Sequence, residues 1–189
     1  MVDNLVERIR QKDQWAMSQL YQMYIRELSS VCYRYVPSES DAKDVLQESF
    51  VKIFASMPTL DYRGEAALRM WMRRIVVNEA LCFLRERKRL KATLGMRIAE
   101  PDMNEFSDAH SSDSETIETE MLTPEELHRL VSSLPDGCRT VLNLYVFEGY
   151  SHKQIAELLN VTVGTSSSQL YYAKQLLARR IKELKKERQ

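Results

Sequence analysis

The sequence predicts an all-α protein of two small helical domains joined by a flexible acidic linker. Good helix formers dominate the 189-residue chain, which has only five glycines and five prolines. Apolar residues recur with the helical period along most of it, and prolines or capping patterns separate the periodic stretches. One stretch, residues 100–122, breaks the period and holds eight acidic side chains with no lysine or arginine. We therefore place one domain at 1–92, the linker at 93–122 and the other domain at 123–189.

Three periodic stretches make up the first domain. A helix is predicted over 13–36, where Pro37 ends it. Ser38 is placed to cap a second helix, which Pro58 ends. A third helix is predicted over about 65–91. Its expected apolar face consists of Leu68, Trp71, Met72, Ile75 and Leu84.

Two capping boxes organise the second domain, "TPEE" at 123–126 and "SHKQ" at 151–154. Between them an apolar run over 141–147 predicts a helix, which Gly149 stops. After a turn at Asn160, a last helix begins, capped by Thr162. Its predicted buried residues are Leu170, Ala173, Leu177, Ile181 and Leu184. A short helix, a turn and a longer helix are typical of a helix-turn-helix, although two packed antiparallel helices without DNA binding share this spacing.

Several function classes lack support in the sequence. No apolar run approaches the ~20 residues that span a bilayer, and no signal-peptide core is present, so a cytoplasmic protein is expected. The three cysteines, Cys32, Cys82 and Cys138, are widely spaced and are interpreted as small core residues. The three histidines are scattered and are interpreted as surface or capping residues; they are His110, His128 and His152. With no phosphate-binding loop or nucleophile–base pair, we expect no enzyme, metal, cofactor or small-molecule substrate.

Three stretches together resemble the extracytoplasmic-function sigma factors of RNA polymerase. "DAKDVLQESFVKIF" (41–54) is similar to their polymerase-binding helix in region 2, and "LRMWMRRIVVNEALCFLRERKR" (68–89) to the promoter-melting segment that follows. "LPDGCRTVLNLYVFEGYSHKQIAELLNVTVGTSSSQLYYAKQLL" (134–177) is similar to region 4, the minus-35 reader. The resemblance implies a factor, monomeric when free, that binds core polymerase at the β′ clamp helices and the β flap. It would direct promoter recognition and strand opening, and an anti-sigma protein, often membrane-bound, would restrain it.

Acidic and amide side chains on the second helix are the candidate polymerase contacts. By spacing alone they are a solvated helix face, the usual place for charged residues. The resemblance implies instead that they dock on the β′ clamp helices, since carboxylates and an amide suit a basic partner. The residues are Asp41, Asp44, Gln47 and Glu48. Lys43 stands where the family usually has a glutamate, which weakens this surface.

Basic side chains on the third helix are the candidate contacts to minus-10 DNA. Residues 69–91 hold eight lysines and arginines against two glutamates, and phosphates attract such charge. The resemblance places Asn78 near the pocket for an extruded base, although Cys82 replaces a common acid there. Trp71 is interpreted as a core residue more than a stacking platform. The candidate residues are Arg69, Arg73, Arg74, Asn78, Arg85, Arg87 and Lys88.

The last helix matches the minus-35 reader but has few charges in its first turns. The family's positions of Ser167, Gln169 and Tyr172 are usually basic, and Ser166 replaces a buried apolar residue. We therefore predict that it enters the major groove and reads DNA with hydroxyl, amide and phenol groups and by groove shape, with a shallow salt dependence. The candidate residues are Thr165, Ser167, Ser168, Gln169, Tyr172 and Lys174.

Two alternatives remain open from the sequence. A one-component DNA-binding regulator would use only the helix-turn-helix and would have no affinity for core polymerase. The acidic linker would imitate nucleic acid in the polymerase channel, as the resemblance implies, or would be a passive spacer, since acidic composition alone predicts disorder.

Overall fold

The computed structural model describes residues 2–94 and 122–187, which fall into two compact units, one within 1–95 and the other within 96–189. In these ranges the chain forms eight α-helices and no strand, confirming the all-α prediction. The helices are α1 (Val2–Arg10), α2 (Gln14–Tyr35), α3 (Glu39–Ser56), α4 (Glu65–Thr93), α5 (Pro124–Ser132), α6 (Asp136–Val146), α7 (His152–Leu159) and α8 (Val163–Glu187). None of these helices is long and apolar enough to cross a membrane.

The N-terminal unit is a bundle of α2, α3 and α4, with α1 packed on α2. Its largest fully buried side chains come from every helix, including Ile9, Leu28, Ile53 and Met72. Burying side chains of this size stabilises such a unit by about 2 kcal/mol each. The core therefore holds α3 and α4 against each other, and their outer faces become fixed surfaces.

Local signals set the helix ends much as the sequence predicts. α2 ends at Tyr35 before Pro37, and the Ser38 hydroxyl accepts a hydrogen bond from the Asp41 amide at the start of α3. A 3₁₀ turn, Met57–Thr59, follows α3 and contains Pro58. The prediction did not include α1, which is only nine residues long and buries a short apolar face. Such a helix depends on packing against its neighbour rather than on its own propensity.

The buried face of α4 is rotated from the predicted one. Its buried residues are Leu68, Met72, Val76, Val77, Ala80 and Leu81. Trp71, Ile75 and Leu84 are only half-buried, so the predicted apolar face is partly wrong. α4 packs on both α2 and α3 along its 29 residues, and these two contacts widen and shift the buried stripe.

The C-terminal unit is built around α6, α7 and α8. Both predicted capping boxes are present, with Thr123 paired to Glu126 and Ser151 paired to Gln154. Asn160 ends α7 in the left-handed conformation, φ 53°, which asparagine tolerates better than most residues. Thr162 then caps α8 by accepting a hydrogen bond from the Thr165 amide. The short helix, turn and longer helix of the prediction therefore form.

Some predictions fall at the edges of the described residues or beyond them. α4 continues to Thr93, so the first residue of the predicted linker is helical. From Gly95 to Met121 that linker, including His110, lies outside the described residues. Cys32 and Cys138 are core residues as predicted, whereas Cys82 is half-buried on α4.

Candidate polymerase-binding and promoter-binding surfaces

The exposed face of α3 carries most of the predicted polymerase contacts. Asp44, Gln47 and Glu48 are all exposed and lie three or four residues apart, so they share one side of the helix. Val51 lies on the same side and is 56% exposed. An apolar side chain within a polar rim is the usual composition of a protein interface. Sequence reasoning missed Val51, although its spacing of seven from Asp44 was a readable signal.

Asp41 differs from the other candidates on α3. It is half-buried, and its carboxylate lies 3.8 Å from the Arg87 guanidinium of α4. The neighbouring Lys43 bonds Glu39 at 2.8 Å, and that hydrogen bond lowers the pKa of the Glu39 carboxyl. The structure thus turns Asp41 toward its own chain, which corrects its predicted outward position.

The basic residues of α4 divide into two groups. Arg69 meets Glu27 of α2 at 3.3 Å and Glu65 at 3.6 Å. Arg87 lies over the Phe83 ring at 5.6 Å as well as near Asp41. Both are therefore held by neighbouring groups, and their charges are partly neutralised within the bundle. Arg73 is half-buried and Lys88 is exposed.

The second group forms one stripe along α4. Trp71, Arg74, Asn78, Arg85 and Arg89 are spaced by three, four, seven and four residues, which keeps them on one side of the helix. Trp71 is half-buried and the others are exposed. Within the part of the chain that the structure describes, no carboxylate pairs with the three arginines of this stripe. In the sequence-based prediction Arg89 was included only in the net charge of this segment, but helical spacing places it on the same side of α4 as Asn78.

The predicted minus-35 residues are not equivalent in α8. Ser167 and Lys174 are exposed at a spacing of seven. The Thr165 hydroxyl bonds the Thr162 hydroxyl at 2.8 Å within the cap, and Ser168 is half-buried. Two of the six residues therefore lie fully on the exposed face.

Two other candidates in α8 contact α6 or the core. Tyr172 is only 6% exposed, so its predicted place on the DNA-reading face is wrong. Gln169 lies over Gly137 of α6, where a Cβ on Gly137 would stand 2.7 Å from the Gln169 amide nitrogen. Tyr171 is 39% exposed and follows Ser167 by four residues. Tyr171, rather than Tyr172, therefore lies on the exposed face of α8 with Ser167 and Lys174.

Comparisons with known proteins give the family. The family model described as "Sigma-70 region 2" matches residues 20–90, and the one described as "Sigma-70, region 4" matches residues 124–177. The chain is 35% identical over 184 residues to the ECF RNA polymerase sigma-E factor of Haemophilus influenzae, covering 95% of each protein. The chain belongs to the extracytoplasmic-function sigma factors. It is also 30% identical to RNA polymerase sigma-H factor of Pseudomonas aeruginosa, over 97% of this chain and 95% of that one.

A solved structure has the same fold as this sigma factor. It is the sigma factor RpoE in complex with the anti-sigma factor NepR from Bartonella quintana, with a TM-score of 0.50 and 18% sequence identity. The match covers 87% of this chain and 96% of that one. The two family matches and the curated relatives confirm the sequence prediction of a sigma factor acting in transcription initiation. The two matched regions correspond to the two helical units.

Proposed function

We propose that this sigma factor docks on the β′ clamp helices through α3 and binds minus-10 DNA through α4. The observation that carries the proposal is the opposite charge of two adjacent helices in one bundle. α3 exposes Asp44, Gln47 and Glu48, while α4 exposes the stripe of Arg74, Arg85 and Arg89 described above. An ion pair of 2.6 Å between Lys52 and Glu79 joins the two helices. Polymerase docking would thereby place a basic surface beside the promoter.

The α4 stripe provides the groups that strand opening needs. Arginines attract the phosphates, and this attraction weakens as salt rises. Extruding a base costs a few kcal/mol, which contacts to the extruded base offset. The exposed Asn78 amide has both a donor and an acceptor for a base edge, and half-buried Trp71 lies about two turns away on the same side. We assign the positioning of single-stranded DNA to this stripe, and a supporting role to Arg69, Arg73, Arg87 and Lys88.

The C-terminal unit is proposed to read the minus-35 element with α8. A recognition helix contacts base edges with its N-terminal residues. Here those turns expose Ser167, Tyr171 and Lys174, a hydroxyl, a phenol and one cation. Serine can bond bases or phosphates, so contact is available with little charge. We propose a shallow salt dependence for this contact.

A second surface of the C-terminal unit suits the β flap. Tyr145, Val146 and Phe147 at the end of α6 are consecutive and all exposed. Exposed apolar groups in a cluster commonly mark protein interaction sites. We therefore place the flap contact at this end of α6.

The family assignment supports a proposal for regulation and location. The Bartonella relative was solved with an anti-sigma factor. We propose that an anti-sigma protein, membrane-bound as in many family members, also restrains this chain. Core polymerase and the chromosome share the bacterial cytoplasm, and we place this sigma factor there.

Charge reversal on α3 tests the proposal against a free DNA-binding regulator. Asp44→Lys with Glu48→Lys should weaken binding to core polymerase at least about tenfold, because like charges then face a basic partner. Glu7→Lys with Asp61→Lys is the matched control, since both acids are exposed in the same unit. Fluorescence titration of labelled chain with core enzyme measures the affinity. A wild-type chain that does not bind core enzyme would support the regulator instead.

A further inference from the structure

A histidine–serine hydrogen bond crosses the helix-turn-helix. His152, the first residue of α7, places its Nδ1 atom 2.9 Å from the Ser166 hydroxyl of α8. Ser166 is fully buried. The sequence suggested a surface or capping role for His152, and the structure instead gives it a half-buried place between helices.

Other serines in the helices of this protein bond differently. The hydroxyls of Ser29 and Ser49 each donate to the carbonyl four residues earlier in their own helix, both at 2.6 Å. Those bonds stay within one helix and do not depend on where the neighbouring helices lie. The Ser166 bond reaches another element, so it depends on how α7 and α8 are placed.

His152 also contacts α6. Its ring stacks on the Tyr145 ring, with centroids 4.8 Å apart and planes inclined by 24°. One side chain at the start of α7 is therefore in contact with α6 on one side and with α8 on the other. The hydrogen-bonded Ser166 immediately precedes the exposed Ser167, at the beginning of the proposed reading face.

We propose that His152 is a positioning residue for minus-35 recognition. The hydrogen bond to Ser166 and the stacking on Tyr145 fix the orientation of the first turns of α8. A recognition surface must be held within roughly 0.5 Å for its base contacts to form, and side chains that support it from behind provide that precision. The inference rests on the proposed minus-35 function of α8 and names the residues that hold its reading face in place.

The test compares single and double variants in the reconstituted holoenzyme. His152→Phe keeps an aromatic ring against Tyr145 but leaves the buried Ser166 hydroxyl without its partner, and Ser166→Ala removes the other half of the bond. Each should reduce the ratio of affinities for promoters with intact and scrambled minus-35 elements by about three- to tenfold. The double variant should lose about as much as either single variant, not the product of the two losses, because both single changes break the same bond.

The matched control is His128→Phe. His128 is exposed on α5, and its ring lies 3.5 Å from the Ser132 hydroxyl of the same helix. This is also a histidine–serine pair, but it does not join α5 to α8. It should leave the ratio unchanged. Core-enzyme affinity and the unfolding temperature of each variant are measured alongside, because a purely structural role would lower the unfolding temperature without changing the ratio.

The outcomes separate this inference from the proposed function. If wild-type holoenzyme prefers the intact over the scrambled minus-35 element and both single variants have the same preference as the wild type, the positioning role is overturned while the function stands. A loss in His128→Phe equal to that in His152→Phe also overturns it. A wild-type holoenzyme that ignores the minus-35 element contradicts the proposed function itself.

Discussion

Asp41 of α3 and Arg87 of α4 face each other across 3.8 Å, so a predicted polymerase contact and a predicted DNA contact pair with each other. Both side chains are about one third exposed or less. A pair of this kind contributes at most about 1 kcal/mol to stability. Its importance lies in position, because it connects the two helices whose outer faces we assign to two different partners.

Neutralising Asp41 should therefore affect the two partners in opposite ways. Asp41→Asn is expected to reduce core-polymerase affinity by about twofold or less, because its carboxylate already faces Arg87. It should increase the affinity for minus-10 fork DNA, since the carboxylate that partly neutralises the Arg87 charge is removed. Competition binding and a fork-DNA titration measure the two effects. Asp44→Asn serves for comparison, and equal losses of core affinity in both variants would contradict the structural distinction.

A charge added to the reading face should change the salt dependence of minus-35 binding. Ser167→Arg is expected to steepen the slope of log affinity against log salt concentration by about one unit, because one more phosphate contact releases one more set of counterions. Lys174→Ala should make the slope shallower by a similar amount. Holoenzyme binding to duplex promoter at several salt concentrations gives the slopes. Unchanged slopes in both variants would show that this face does not touch DNA.

The adjacent tyrosines of α8 should separate stability from recognition. Tyr172→Ala removes a buried ring and should lower the free energy of unfolding of the C-terminal unit by about 3 kcal/mol or more. Tyr171→Ala should leave the unfolding temperature nearly unchanged and weaken minus-35 binding. Calorimetry and promoter titration provide the measurements. The reverse pattern would mean that the roles of the two residues are exchanged.

The three thiols should react at different rates with Ellman's reagent. Burial raises the pKa of the Cys32 thiol to about 12 and that of Cys138 to about 11, so neither forms the reactive thiolate near pH 8. In the folded chain both thiols keep their protons at pH values where the unfolded chain would lose them. The free energy of unfolding is therefore unaffected below the ordinary thiol pKa and falls as pH rises from there through the raised values. Half-buried Cys82 should therefore react first, at about one thiol per folded chain.

Promoter DNA should protect Cys82 in the holoenzyme. Cys82 lies four residues after Asn78, on the same side of α4 as the basic stripe. Labelling followed by peptide mass mapping identifies the site, and Cys82→Ser is the control for reagent specificity. Labelling of Cys82 at an equal rate with and without open promoter complex would place the DNA elsewhere.

The arrangement of the site could be predicted only in part. Helical spacing gave the outward side of α3 at Asp44 and Glu48, and it contained the signal for Tyr171, four residues after Ser167. The assignment of Tyr172 followed the family position instead, and the structure buries that ring. The ion pairs of Arg69 with Glu27 and of Arg87 with Asp41 had no local signal, because these carboxylates lie on other helices. Glu65, four residues before Arg69 on α4, was a readable local signal.

The sequence alone determined the all-α class, most helix boundaries, the two helical regions and the family. These follow from short-range causes: prolines remove a donor, capping residues satisfy amides within one turn, and apolar residues recur every three or four positions. Tertiary structure decided which basic residues of α4 remain exposed, which tyrosine of α8 is buried and that His152 meets Ser166. A helical repeat fixes which residues share a side, but only the neighbouring helices determine which side is covered.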